Sequence, residues 1–158
     1  MSFSKQTNNE LISYENMLYY QNITRMRTKL DYINKNVLTQ NYKIIVLVET
    51  WLNDNILDGE IFDNRYEVYR RDRQSNPLLG HKEGGGVLIA VHKSIKSHRV
   101  PKFESKAEDL WVELEYSNFK GRSQNIKLCA VYIPPPINTV ILESFMTNAS
   151  NIVNDSGN

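Results

Sequence analysis

Along the 158-residue chain the spacing of apolar and polar positions changes several times, and each change marks an element. The clearest run is Ile44 to Val48, five unbroken apolar residues, mostly β-branched, which predict a strand buried on both faces. Upstream, Met17 to Tyr20 predict a short strand ending at Gln21-Asn22. From Thr24 the period turns helical. Met26, Leu30, Ile33 and Val37, with Lys and Asn between them, predict an amphipathic helix to about Gln40. Strand, helix and strand in this compass read as a βαβ unit with parallel strands. Asn22 and Glu49 then fall at the same ends of neighbouring strands, where open α/β sheets bind ligands.

Downstream the spacing shortens to that of strands. Trp51 to Phe62 predicts a loop or short helical turn, and Tyr66 to Arg70 a short strand. A loop with Asn76-Pro77 and Gly80 leads to Gly84-Gly85-Gly86, which opens directly into Val87 to Val91. Neither phosphate-cradle spacing is present and a strand follows, so close backbone approach explains the glycines better. Leu110, Val112, Leu114 and Tyr116 alternate with Trp111, Glu113 and Glu115 as a half-buried strand. Through the polar loop Asn118 to Asn125 it joins a second strand, Ile126 to Ile133, as a hairpin. Pro134-Pro135-Pro136 ends that pairing. Leu142, Phe145, Met146, Ala149 and Ile152 mark a closing amphipathic helix. The expected architecture is α/β: residues 1–13 frayed, then one sandwich-like domain over 14–154, with a mixed sheet and flanking helices.

Charge adds detail only locally. Lys plus Arg (19) nearly cancel Asp plus Glu (18), so the net charge selects no partner. Arg70, Arg71 and Arg73 cluster, and Lys93, Lys96, Arg99, Lys102 and Lys106 recur through one region. Such a patch can meet phosphates or defend a strand edge. Cys129 is the single cysteine and sits in an apolar run, as a small core residue does. Met1 to Glu10 lack an apolar leader and no run reaches membrane-spanning length, which favours an intracellular protein off the membrane. Glu49 is the main chemical candidate. A carboxylate at the mouth of a rigid central strand can bind a hard cation such as Mg²⁺, although the first solvated residue after a core strand looks the same.

Four motifs follow one another in fixed order: Tyr20-Gln-Asn22, Val48-Glu49-Thr50-Trp51-Leu52, Tyr69-Arg-Arg-Asp-Arg73 with Gly84-Gly-Gly-Val-Leu-Ile-Ala-Val91, and Val131-Tyr132-Ile-Pro-Pro135. Together they resemble the endonuclease/exonuclease/phosphatase superfamily. The wording is nearest to the endonuclease domain of non-LTR retrotransposons, over about Tyr14 to Val153. The resemblance implies that Asn22 steadies the phosphate and metal ligands, that Glu49 holds Mg²⁺ or Mn²⁺, and that Tyr132 contacts the scissile phosphate. It also implies DNA as the partner, with Arg70, Arg71 and Arg73 facing its backbone, and a nuclear location if the chain belongs to an active retroelement.

The departures carry as much weight. Arg25 stands where the family pattern has glycine, which puts the turn after the first strand in question. The Gly-Asp-x-Asn and Ser-Asp-His motifs are absent, and His81, His92 and His98 all precede Tyr132. The chain therefore reads as the N-terminal half of a two-sheet domain, inactive alone. One face of Ile44 to Val48, Val87 to Val91 and Ile126 to Ile133 is expected to lie open and to promote self-association. The rival readings are a non-catalytic remnant that at most binds nucleic acid, and a fragment of a phosphoesterase acting on another substrate.

Overall fold

A computed structural model describes residues 17–73, 84–117 and 123–155. The expected frayed N-terminus, the Asn76-Pro77 and Gly80 loop and the tip of the hairpin lie outside them. Strand β1 (Leu18–Asn22) runs parallel to β2 (Ile44–Val48), with Leu18 opposite Ile44 and Asn22 opposite Val48. β3 (Tyr66–Arg71) and β4 (Val87–His92) are antiparallel neighbours, and the sheet order is β1-β2-β4-β3. β5 (Lys96–Arg99), β6 (Glu108–Ser117) and β7 (Ser123–Tyr132) form a second, antiparallel sheet in sequence order.

The unbroken apolar runs do what their composition requires. On one face of the first sheet Ile45, Leu47, Leu88 and Ala90 pack against Met26, Ile33 and Val37 of the helical segment 26–40. On the other, Ile44, Val46, Val48, Val87, Ile89 and Val91 meet Leu110, Val112, Leu114 and Ala130 of the second sheet. Leu47 and Ile89 are fully buried, and each such side chain stabilises the fold by about 2 kcal/mol.

The expectation of an open face on β2 and β4 is therefore corrected: both strands are covered on both sides. β6 and β7 lie across β2, β3 and β4 on the inner face of the first sheet. Register puts Leu18 and Tyr20 on that inner face, where they are 47% and 61% exposed; Ile126 of edge strand β7 is 48% exposed.

The segment 26–40 is helical but irregular, which the apolar period did not reveal. A 3₁₀ turn (Met26–Lys29) leads into α1 (Leu30–Tyr32), then a π turn (Ile33–Val37) and a 3₁₀ turn (Leu38–Gln40). It stops at Asn41, whose left-handed backbone suits a helix C-terminus. Helix α2 (Thr139–Asn154) starts after the prolines, where the Asn138 side chain accepts the backbone N–H groups of Val140 and Ile141. α2 covers the outer face of the second sheet through Phe145, Ala149 and Ile152, against Trp111, Phe103 and Cys129. Burial, with Asp109 nearby, pushes the Cys129 thiol up to about 12, as an inert core cysteine requires. Among the described residues no helix is long and apolar enough to cross a membrane.

Candidate active site

Asn22 closes β1 and is exposed, and its side-chain oxygen accepts a hydrogen bond from the Thr24 hydroxyl at 3.0 Å. The amide nitrogen is thereby left as the donor end. Glu49 follows β2 directly, half-buried. Its backbone is gripped from two sides. Arg25 N–H donates to Glu49 O at 3.0 Å and Met26 N–H to Thr50 O at 2.9 Å, while Trp51 N–H donates to Gly85 O at 2.9 Å. The first amides of the helical segment thus find partners in the loop after β2 rather than in a capping side chain.

Backbone strain collects at this place. Among the described residues five non-glycine residues have positive φ, and four of them are here: Thr24 (38°), Arg25 (65°), Glu49 (59°) and Trp51 (56°). Each such residue costs about 1–2 kcal/mol relative to an ordinary backbone. Arg25 keeps the left-handed conformation that a glycine would adopt, so the turn after β1 survives the substitution. Strain held by the surrounding structure is a common property of functional sites.

Tyr132 ends β7 and lies opposite Glu108 of β6. Glu108 Oε2 accepts the Gly86 N–H at 2.8 Å, and Gly86 O accepts the Thr50 N–H at 3.3 Å. This short chain of contacts carries Tyr132 to the same end of the sandwich as Glu49 and Asn22. The three expected site residues therefore share one end of the fold. Close approach explains the glycines, but what comes close at Gly85 and Gly86 is chiefly side chains, and β4 lies inside the sheet. A Cβ on Gly86 (φ +83°) would lie 2.7 Å from Thr50 Oγ1, and one on Gly85 would collide with Arg73 and Glu108.

The arginines expected to face DNA instead turn into the protein. Arg70 donates to Ile56 O and Asn53 O, both at 2.7 Å, and pairs with Asp58 and Asp72. Arg71 donates to Asp109 O at 2.8 Å and Ser105 O at 3.0 Å, and pairs with Asp109 Oδ1 at 2.9 Å. Arg73 pairs with Glu108. The Arg70 and Arg71 forks are matched by internal acceptors and Arg73 is held through Nε, so these side chains join the two sheets and the loop before β3. Among the described residues three buried polar atoms near the 84–86 turn have no hydrogen-bond partner: Thr50 Oγ1, Asp72 Oδ1 and Arg73 Nη2.

Two neighbours of the site escaped the sequence reading. Glu108 shares the parity of Leu110 and Val112, so an inward carboxylate was legible in the alternation. Trp51 lies two residues past Glu49; its indole Nε1–H donates to Glu49 Oε2 at 2.6 Å, and the Arg25 guanidinium sits 4.6 Å above its ring.

This chain is similar in fold to the human Nocturnin catalytic domain. That structure, which holds a bound sulfate, matches with a TM-score of 0.54 at 12% identity, over 87% of this chain and 58% of that one. The two sheets and their helices are thus similar in fold to an endonuclease/exonuclease/phosphatase-type enzyme domain, and the chain spans less than two thirds of the Nocturnin domain. Neither a family model nor a curated protein matches the sequence.

Glu49 supplies a carboxylate oxygen here, which suits a hard cation such as Mg²⁺ in kind, while the Asn22 oxygen is engaged by Thr24. In number such donors are few. Among the described residues no group of three or more His, Cys, Asp and Glu side chains gathers to hold a metal. An ion at Glu49 would keep most of its waters and bind weakly.

Proposed function

We propose that this chain carries the metal- and phosphate-binding end of a divalent-metal-dependent phosphodiesterase of the retrotransposon endonuclease type, with DNA as substrate and Mg²⁺ or Mn²⁺ as cofactor. The observation that supports it most is Glu49. It sits in strained, left-handed backbone at the end of a strand buried on both faces, beside Asn22 on the parallel neighbour. A surface residue that merely follows a strand has no need of such a conformation.

When bound, the cation supplies charge that polarises a phosphoryl oxygen and steadies the leaving alkoxide. The chain's own groups bind and orient. Glu49 offers a carboxylate oxygen to the ion. The Asn22 amide, with its oxygen engaged by Thr24, offers N–H to a phosphate oxygen, and the Tyr132 hydroxyl offers O–H. Both donors add hydrogen bonds without placing negative charge beside an anion. Among the described residues none at this end is placed to take the proton from an attacking water, and loss of a positioned base forfeits about 10²- to 10⁴-fold in rate.

The test pairs a plasmid-nicking assay with Mn²⁺ binding, on the wild-type chain and on Glu49→Ala. Weak Mn²⁺ binding that disappears in the variant, with no nicking by either protein, is the expected result. Binding indifferent to Glu49→Ala overturns the assignment of the site. Nicking that requires Glu49 shows that some residue of this chain serves as the base.

A further inference from the structure

We propose that Trp51 is the positioning residue for Glu49, an inference that rests on Glu49 being the cation ligand. The indole N–H holds Oε2 at 2.6 Å, and among the described residues the other carboxylate oxygen takes no hydrogen bond. One oxygen is thus committed to the protein and the other is kept for a ligand. A site with a single carboxylate depends on this more than a crowded one does. No second acidic ligand defines where the ion sits, so a freely rotating Glu49 would spread it over several positions.

Trp51 is itself fixed from several directions. The Arg25 guanidinium lies 4.6 Å above its ring, and its backbone N–H is tied to Gly85 O at 2.9 Å. Gly84 lies against the indole, where even an added Cβ would come within 3.5 Å of Nε1. Glu49 and Trp51 both hold left-handed backbone, with φ of 59° and 56°. A tryptophan that only filled space would need neither the short hydrogen bond nor the strained backbone. Partners that orient a metal-binding side chain typically set metal affinity by about 10- to 100-fold.

The experiment titrates Mn²⁺ into the whole chain, following the paramagnetic resonance signal of the free ion, for wild type, Trp51→Phe and Glu49→Gln. Phenylalanine keeps an aromatic face for Arg25 and removes the N–H together with the five-membered ring that carries it. Trp51→Phe should weaken Mn²⁺ binding about tenfold with its circular dichroism and melting unchanged, while Glu49→Gln should abolish binding. In wild-type ¹H–¹⁵N spectra the Trp51 indole resonance should shift on adding Mg²⁺, and Glu49→Gln should remove that shift. Wild-type affinity in Trp51→Phe, with binding lost in Glu49→Gln, overturns the role of Trp51 and leaves Glu49 as ligand. Wild-type affinity in Glu49→Gln overturns the reading beneath both. If Trp51→Phe does not fold, the indole resonance decides, and an unmoved resonance overturns the proposal.

Discussion

The chain contains the same local pair twice: a carboxylate, and a tryptophan two residues later whose indole N–H binds it. At Asp109 the Trp111 Nε1–H donates at 2.9 Å; at Glu49 the Trp51 Nε1–H donates at 2.6 Å. Everything else differs. Asp109 is fully buried on an ordinary strand and also accepts from Ser105 N–H, Ser105 Oγ–H and Arg71. Glu49 is half-buried, strained, and has one oxygen left over. A carboxylate whose acceptor sites are filled by its own chain holds the fold together; one left short can bind something else. The motif alone does not distinguish them. The remaining acceptor capacity does.

Removing the saturated carboxylate should have the largest effect. Asp109→Ala leaves the Trp111 and Ser105 N–H groups without their partner inside the protein and takes the nearer carboxylate from Arg71, and should cost about 3 kcal/mol, read as a lower urea midpoint. Mn²⁺ binding by the folded fraction should persist. Glu49→Ala should do the reverse, changing stability by no more than about 0.5 kcal/mol while Mn²⁺ binding is lost. Equal destabilisation by the two variants would break the comparison. Gly86→Ala comes next. Its Cβ would crowd buried Thr50 Oγ1 from a left-handed backbone, at about 2 kcal/mol, and an unchanged thermal midpoint would show that the turn after β2 can yield.

Much of this arrangement could be read in the residues. The run Ile44 to Val48 declared a strand buried on both faces. The change of period at Thr24 declared the parallel unit that sets Asn22 beside Glu49. β5 was not legible, because Lys96-Ser-His-Arg99 carries no apolar signal. It is a strand because it pairs with β6, where Lys96 meets Glu115, and it is the lysine-defended edge that the basic stretch allowed for. The irregular helix was hidden for a similar reason: its opening amides are fixed by the Glu49 and Thr50 carbonyls, a tertiary contact. Arg73 and Arg71 looked like an outward patch because their acidic partners, Glu108 and Asp109, stand 35 and 38 residues further on. Clustered charge in a sequence shows nothing about distant counter-charges.

Asp72 stands between the two extremes, and pH can show it. Burial raises its carboxyl above the usual 3.8, against the opposing pull of Arg70, and one of its oxygens has no partner. A raised folded-state value means the folded chain binds the proton more tightly than the unfolded chain does. That contribution is full below about 3.8 and is lost as pH rises through the folded value. The stability of wild type relative to Asp72→Asn should therefore increase on acidification from neutrality through that window. Paired urea titrations at several pH values measure the difference and cancel the other carboxylates. A pH-independent difference would mean that the burial of Asp72 does not alter its titration on folding.

The smallest effect should come from Arg25→Gly, and its sign is informative. Glycine adopts φ 65° without strain, so the substitution removes about 1–2 kcal/mol of backbone cost. It also removes the guanidinium from the Trp51 ring, a contact worth about 0.5–1 kcal/mol at an exposed site. Glycine's greater freedom in the unfolded chain offsets a further part, roughly 0.5–1 kcal/mol. The backbone and ring terms oppose one another, and the sign of the change in melting temperature shows which is larger. Mn²⁺ affinity should not stay still, because the ring that orients Glu49 loses its cover. If Arg25→Gly raises stability clearly and leaves Mn²⁺ binding as it was, the arginine is only a tolerated departure from glycine. If stability holds while binding weakens, the left-handed backbone at Arg25 is kept for the site it supports.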